Sequence, residues 1–552
     1  MESIPTKTLA WRLYGAGLEN FGNQDAPDNI DIRPLKDDEI LTKVEAIGLC
    51  FSDIKIIRLG GNHLKLWEKD LKNHPLIIGH EAILTIVKKG PGVPDEFEVG
   101  KRYLVQPDIY IKGRCCAYGY GMDGGLTQYS IIDHRVWRSE DGGSYLLPCP
   151  ENLPSASAAL MEPWTCVRAA YHIPHRTTPV DGGALLLVTQ PGNTKTYKLG
   201  TLYASQKKVV ALNFSDAAVA AFEKELGKPV VKANALPADE LFDDIVYVDL
   251  KDKKLGEEAQ LLAADKAIIN FIGDCGNDEW RIDVGALHYK RRWYQGAPTG
   301  DLDAGYATPR RNDLLKGGAA WFPGGAGAMG QMHVELAIIS KNAPSKILVT
   351  DIDDARIEHL RNKLAPRAAE RNIEFKLVNP SKISEDELHK LAKEFAPNGF
   401  SDIIILVPSA AVIDQAMPHL ADGGLMNVFA GIPAGEASPI PVNRLINKGL
   451  RFTGSSGSTT QDMIDSLDLA SKHEFEPQSA MAAIAGFKAV KEGFFAVSQG
   501  KFPGKVVILP ACVDMPLMPL DKEHLPAEVV ATLDKYGQYT METEKLLHKM
   551  WK

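Results

Sequence analysis

The chain has 552 residues, with 62 Lys and Arg against 71 Asp and Glu, a formal net charge of −9, and 45% hydrophobic and 24% charged residues. At roughly 100 to 200 residues per domain this length implies several domains, and the near-average composition excludes a disordered, fibrous or disulfide-stapled chain. The acidic balance offers no polyelectrolyte attraction to nucleic acid or an anionic membrane, so the expected partner is a small molecule, with no nucleic acid and no membrane. No apolar run reaches the roughly 18 residues of a membrane helix, and Met1 to Gly15 has no cationic stretch before an apolar core, so a cytoplasmic location is expected. Seven irregularly spaced cysteines read as reduced thiols or metal ligands.

From about Leu41 to Leu160 the chain alternates short apolar strands with Gly and Pro, the pattern of a β-rich, barrel-like domain. Three groups there could form one metal site: Gly48-Leu49-Cys50-Phe51-Ser52-Asp53, Gly79-His80-Glu81 and Met161-Glu162-Pro163. Taken singly, Cys50 reads as a buried thiol, His80 as a core histidine and Glu162 as a helix-start carboxylate. Together, a thiolate, an imidazole and a carboxylate suit four-coordinate zinc with one exchangeable position, the arrangement that polarises a carbonyl or an alkoxide.

Gly-Leu-Cys-Phe-Ser-Asp followed by Gly-His-Glu resembles the zinc-dependent medium-chain dehydrogenase/reductase family, the alcohol and sorbitol dehydrogenases, as does the strand Gly504-Lys505-Val506-Val507-Ile508-Leu509-Pro510. The resemblance implies a GroES-like β-barrel catalytic domain and one catalytic zinc held by Cys50 and His80 with Glu81 or Glu162, each binding directly or through water. It implies that Ser52 relays the substrate proton and that Asp53 orients the site. Glu162-Pro163 favours the polyol branch, where a harder carboxylate replaces a second cysteine. The four-cysteine structural zinc of many members has no counterpart in Cys115-Cys116, so one zinc is expected, not two.

Downstream, Ala319-Ala320-Trp321-Phe322 runs into Pro323-Gly324-Gly325-Ala326-Gly327-Ala328-Met329-Gly330, a G-x-G-x-x-G turn between a strand and a helix that suits pyrophosphate. The next strand, Lys346 to Thr350, ends in Asp351, placed to bind the ribose diol. Gly325, Gly327, Gly330 and Asp351 are therefore the candidate cofactor residues, and NAD(H) is preferred over NADP(H), with Arg356 the one residue that could favour phosphate.

Residues 183 to 300 repeat 316 to 460 imperfectly. Phe242 to Val246 matches Phe400 to Ile404, Phe271-Ile272-Gly273 matches Phe429-Ala430-Gly431, and Tyr294-Gln295-Gly296 matches Phe452-Thr453-Gly454, all offset by 158 residues. In the first copy Thr194 and Tyr197 are expected where the second has Gly327 and Gly330, and Asn213 stands where the second has Asp351. That copy is expected to have lost dinucleotide binding and to be structural or dimer-forming.

The expected fold is α/β: an N-terminal barrel segment over 1–180, a degenerate Rossmann-like doubly wound module over 181–312, an NAD-binding Rossmann domain over 313–454, a return to the barrel over 455–510 and a helical tail over 511–552. Gly124 to Tyr129, Glu162 to Val167, Thr350 to Arg356, Val407 to Val412 and Thr453 to Gly457 narrow the resemblance to the L-sorbose-1-phosphate reductase group. The expected function is a zinc- and NAD(H)-dependent oxidoreductase interconverting a secondary alcohol of a polyol, sugar or sugar phosphate and its ketone, as a homo-oligomer, dimer or tetramer. The alternative is a non-catalytic dinucleotide-binding or structural protein on the same scaffold. Lys55, Arg114 and Arg168 lie near the site in sequence, but none is assigned to phosphate.

Overall fold

The computed structural model describes residues 4–308, 311–454 and 457–552, and divides the chain into two units, Met1–Ala169 with Gly457–Lys552, and Ala170–Ser456. In the first unit, the ten-residue strand β1 (Ile40–Leu49) leads through Cys50 into α1 (Phe51–Leu59). That helix buries Ile54, Ile56 and Ile57, and ends at Gly60, whose φ of +51° suits a residue without Cβ. Strand β2 (Glu81–Lys89) pairs antiparallel with β1, setting Glu81 opposite Gly48. Strands β3 (Arg102–Val105), β4 (Tyr129–Ile132) and β5 (Leu146–Pro148) extend the sheet, and α2 (Ser155–Ala159) and α3 (Met161–Ala169) follow.

The second unit is built on one twelve-stranded sheet. Its first half contains β6 (Ala184–Thr189), β7 (Lys208–Leu212), β8 (Val231–Ala233), β9 (Phe242–Val248) and β10 (Ala263–Ile272), then β11 (Glu279–Asp283), α4 (Val284–Lys290) and β12 (Trp293–Ala297). Its second half contains β13 (Ala319–Pro323), α5 (Ala328–Ile339), β14 (Lys346–Thr350), α6 (Asp354–Glu370), β15 (Glu374–Val378), β16 (Phe400–Ile405) and β17 (Leu420–Val428), then β18 (Ala437–Pro441), α7 (Val442–Lys448) and β19 (Arg451–Thr453). The order is β8-β7-β6-β9-β10-β12-β19-β17-β16-β13-β14-β15: two parallel doubly wound halves, each of the Rossmann order, joined by antiparallel pairing of β12 with β19. Central strands such as Ala184-Leu185-Leu186-Leu187-Val188-Thr189 are apolar up to their last residue because both faces are covered. One apolar core runs through both halves, from Phe242 and Tyr294 to Phe400 and Phe452.

The join is two-fold in character. Tyr294 pairs with Phe452 and Arg281 with Pro439, each with the residue 158 positions ahead. An ion pair is also duplicated, Arg176 with Asp244 at 3.1 Å and Arg311 with Asp402. The strand register refines two of the expected equivalences. Asp244 faces Leu185 and Asp402 faces Ala320, so along the glycine loop Gly192 takes the place of Gly327, and Lys195 that of Gly330, in place of Thr194 and Tyr197. In β10 the offset is 157, since Asn270 pairs with Gln295 as Asn427 does with Thr453.

Residues 170–180, expected in the barrel segment, belong to the sheet unit: Asn427 Nδ2 donates to the Ala170 carbonyl at 2.8 Å, and Arg176 holds Asp244. After the sheet, the chain returns to the first unit with β20 (Met481–Gly486), β21 (Lys505–Leu509) and β22 (Met518–Pro519). The barrel sheet runs β5-β3-β2-β1-β21-β20-β22, with β4 on the free stretch of β1. The residues after Pro510 pack on this same unit. Glu544, on α8 (Met541–Trp551), accepts hydrogen bonds from the Ser155 and Ala156 amides at 2.8 and 2.9 Å and so caps α2.

Candidate metal and cofactor sites

Cys50 stands at the junction of β1 and α1, where its extended backbone makes it the helix N-cap. Asp53, fully buried one turn on, accepts from the Cys50 amide at 3.3 Å and from His80 Nδ1 at 3.0 Å. One carboxylate thus holds both the His80 ring and the Cys50 backbone and leaves His80 Nε2 available. Burial disfavours a charged His80, but Asp53, Tyr120 and Cys50 together outweigh it and raise the imidazole pKa. Glu81, at the start of β2, completes the group: one ligand atom each from Cys50, His80 and Glu81 lies within 4.8 Å of the others. Among the described residues this is the one cluster of three or more His, Cys, Asp or Glu side chains so close.

The donor set fits zinc on two further observations. Glu81 Oε1 accepts from Lys505 Nζ at 2.5 Å, while its buried Oε2 has no hydrogen-bond partner. A Cβ on Gly48 would lie 2.0 Å from that Oε2, so glycine leaves the room the carboxylate occupies. Lys505 is 5% exposed; burial opposes its charge, but Glu81 and Cys50 hold it protonated. Glu162, at the start of α3, stands outside the three converging groups. Burial pushes its carboxyl up to about 7, against His80 and Lys505 and with Glu81 and Asp108, and Cys166 Sγ donates to it at 3.5 Å.

Ser52 is half-buried on the first turn of α1, beside the Tyr120 hydroxyl. The Tyr120 ring lies 5.4 Å from that of His80. Cys115 and Cys116 are free thiols, and Arg135 Nη1 donates to Cys116 Sγ. Arg168 is remote in character, stacked at 5.8 Å on Phe475 and facing Asp465 and Asp462.

In the sheet unit, Gly324 takes the positive φ of +77° that the turn requires, a role the three-glycine pattern does not reveal. A Cβ on Gly330 would meet the Gly324 oxygen at 2.5 Å, and one on Gly325 would meet Val349 Cγ1 at 2.7 Å, so these two glycines let helix and strand close together. Gly327 meets nothing nearer than 3.5 Å, which leaves its face open for a ligand at the N-terminus of α5. Asp351, 8% exposed at the end of β14, accepts from the Ala326 amide at 3.2 Å and so lies beside the loop. Arg356 pairs with Asp353 at 3.6 Å.

The first half departs from this pattern by more than two glycines. No helix follows β6; residues 190–207 are irregular apart from one short turn at Thr201–Tyr203. The strand ends carry a cleft of about 530 Å³ lined by Gln190, Asn193, Lys195 and Asp249. Asn193 donates to Tyr197 Oη at 2.7 Å, and Lys195 and Tyr197 both donate to Asp249 at 2.8 Å. An acid stands where phosphate would lie, and the helix dipole that would attract phosphate is missing. A larger concavity, about 890 Å³, opens at the opposite strand ends around Gly317, Lys346 and His419. It contains none of the glycine-loop or metal-site groups, so chemistry and not size locates the sites.

Residues 36–139 match the alcohol dehydrogenase GroES-like domain, and residues 328–472 match the zinc-binding dehydrogenase family. Both matched domains are those of the zinc-type medium-chain alcohol dehydrogenases. This dehydrogenase is 22% identical over 521 residues to the mannitol-1-phosphate 5-dehydrogenase of Aliivibrio fischeri, covering 93% of this chain and 88% of that one. The L-sorbose 1-phosphate reductase of Klebsiella pneumoniae is 25% identical over 54% of this chain and 76% of its own. In fold it is similar to the solved 2R,3R-butanediol dehydrogenase of Bacillus subtilis, with a TM-score of 0.53 at 14% identity, covering 91% of this chain and 99% of that one. Membership carries oxidoreductase activity with zinc and a nicotinamide cofactor. Among the described residues no helix is long and apolar enough to cross a membrane.

Proposed function

We propose that this dehydrogenase uses zinc and NAD(H) to interconvert a secondary alcohol of a polyol or sugar, free or phosphorylated, with the corresponding ketone. The observation that carries the reading is the convergence of Cys50, His80 and Glu81 with the free oxygen of Glu81 left without a partner. Two relatives with sugar-phosphate substrates in their names support the substrate class.

Cys50, His80 and Glu81 would hold the metal, with Glu162 acting directly or through water. Bound there, zinc would lower the proton affinity of the alcohol and polarise the ketone, and the nicotinamide would carry the hydride. The protein's own part is positional. Asp53 fixes His80 and the Cys50 backbone, Lys505 restrains Glu81, and Ser52 takes the alcohol proton outward on oxidation and returns it on reduction. Gly327 gives pyrophosphate access to the helix N-terminus, and Asp351 binds the ribose diol and repels a 2′-phosphate. A panel of polyols, ketoses and their phosphates with NAD(H) and NADP(H), read at the nicotinamide absorbance, tests the proposal. Absence of turnover by zinc-loaded protein across the panel would overturn it.

A further inference from the structure

The segment that follows α1 is strongly basic in an acidic protein. Between residues 55 and 74 lie Lys55, Arg58, Lys65, Lys69 and Lys72 against Glu68 and Asp70. Both acids are engaged locally: Glu68 Oε1 accepts from the Lys69 and Asp70 amides at 2.7 Å, and Asp70 Oδ2 from Asn73 at 2.7 Å.

The cations collect on one side of the metal site. His63 is half-buried, and its pKa is lowered by burial and then by Lys65, Lys69 and Lys55, with no carboxylate opposing them. Lys69 Nζ donates to the His63 carbonyl at 2.8 Å, which ties that ammonium to the segment. Lys65 Nζ stands 5.7 Å from the centre of the Tyr120 ring, and the His63 ring stands 5.8 Å from it. The same Tyr120 ring lies 5.4 Å from His80, and its hydroxyl is beside Ser52. Arg114 covers the Trp67 ring at 4.4 Å and adds a guanidinium to the rim. Among the described residues none of Lys55, Lys65, Lys69 and Arg114 forms an ion pair with a carboxylate, whereas the buried Lys505 and the half-buried Lys363 are both paired.

We infer that this rim, Lys55, Lys65 and Lys69 around His63, binds the phosphate of an open-chain sugar or polyol phosphate whose reacting carbon lies at the metal. The inference rests on the dehydrogenase reading above and names the substrate class of that same site. An ammonium and a metal ligand flank one tyrosine ring, so a substrate passing along Tyr120 reaches both with its two ends. Lysines bind phosphate as point charges without demanding one orientation, which suits a flexible chain. In a protein of net charge −9, a local excess of positive charge also draws a dianion toward the site from solution.

The experiment compares a ketose with its 1-phosphate in NADH-dependent reduction by the full-length, zinc-loaded protein, with titration calorimetry of inorganic phosphate as a readout independent of turnover. Wild-type protein is expected to favour the phosphorylated ketose. Lys65→Met and Lys55→Met should each reduce the ratio of its kcat/KM to that of the free ketose by roughly tenfold, through KM, and weaken inorganic phosphate similarly. Lys65→Arg should restore most of the ratio. A ratio that ignores both methionine variants, with unaltered phosphate binding, overturns the rim while leaving the dehydrogenase intact. Failure to turn over any ketose or polyol overturns the dehydrogenase reading, and phosphate binding that is independent of the lysines then overturns the rim as well.

Discussion

Tyr294 pairs with Phe452, its own counterpart in the repeated half of the sheet. Pairing of each residue with its own mate is what a two-fold axis generates, so the two halves meet as two identical subunits would, inside one chain. The helix α4 seals this contact: a Cβ on Gly285 would meet the Pro433 oxygen at 2.4 Å. Gly285→Ala should therefore cost roughly 1–3 kcal/mol through backbone displacement. Differential scanning calorimetry should find a lower Tm, and an unchanged one would show that the loop does not press on the helix.

The metal group should bind about one zinc per chain, with ligand distances expected for a thiolate and an imidazole. Cys50→Ser is expected to lower zinc content and abolish turnover. Asp53→Asn, which keeps shape but weakens the hold on His80, should cost roughly 10–100-fold in metal affinity. Metal analysis after dialysis against a chelator provides the measurement, and full activity in metal-free protein would sink the assignment.

Asp351→Ser should weaken NAD(H) and improve NADP(H), because one carboxylate both binds the ribose diol and repels a phosphate. The ratio of the two kcat/KM values is the readout. A ratio equal to that of wild type would remove Asp351 from cofactor selection.

Only the second half should bind the dinucleotide, giving one NAD(H) per chain. Gly327→Val should eliminate binding in a calorimetric titration, whereas Thr194→Trp in the other half should leave it intact, since Lys195, Tyr197 and Asp249 already fill that position. Two equivalent sites per chain would contradict the structure of both loops.

Acid should destabilise the sheet unit through His333, which is fully buried, shares a 2.8 Å hydrogen bond with Tyr171 Oη, and has its pKa lowered by burial to about 3. Its folded pKa lies below the unfolded value near 6.5, so this effect is absent above pH 6.5 and grows as pH falls toward 3, where the unfolded chain binds a proton that the folded chain refuses. Between pH 6.5 and 5 the loss is about 2 kcal/mol. His333→Gln should flatten the pH dependence of Tm over that window. His359 and His419, both lowered to about 4 by burial, leave a residual slope of the same sign.

The metal triad, the glycine loop and the repeat were legible because each is written in short local phrases, and a constant offset survives divergence. The Lys505–Glu81 contact was not, because 424 positions separate its partners and a lysine in an apolar strand carries no local sign of an ion pair. Loss of the helix after β6 was visible only as two missing glycines, since Asn193-Thr194-Lys195-Thr196-Tyr197 does not state whether a helix continues beyond it. The shift of two residues in the loop equivalence has a similar cause: strand pairing fixes register, and a loop sequence alone does not. Lys65 carries no local sign of a site, because Tyr120, which comes from a distant loop, is what lies between it and His80.

The position of β21 imposes an order on synthesis. Strand β1 is flanked by β2, made soon after it, and by β21, whose Val506 pairs with Leu49. As the chain leaves the ribosome, β4 covers Ile40–Lys43 of β1, but the stretch Ile47–Leu49 stays open while the whole twelve-stranded sheet is made, and an open edge invites mispairing. The sheet unit is continuous in sequence and can complete its core before the barrel closes. The carboxylate of Glu81 then receives its lysine only after nearly all of the protein has been made, so the metal centre, encoded mostly near the start, is among the last parts of the molecule to form.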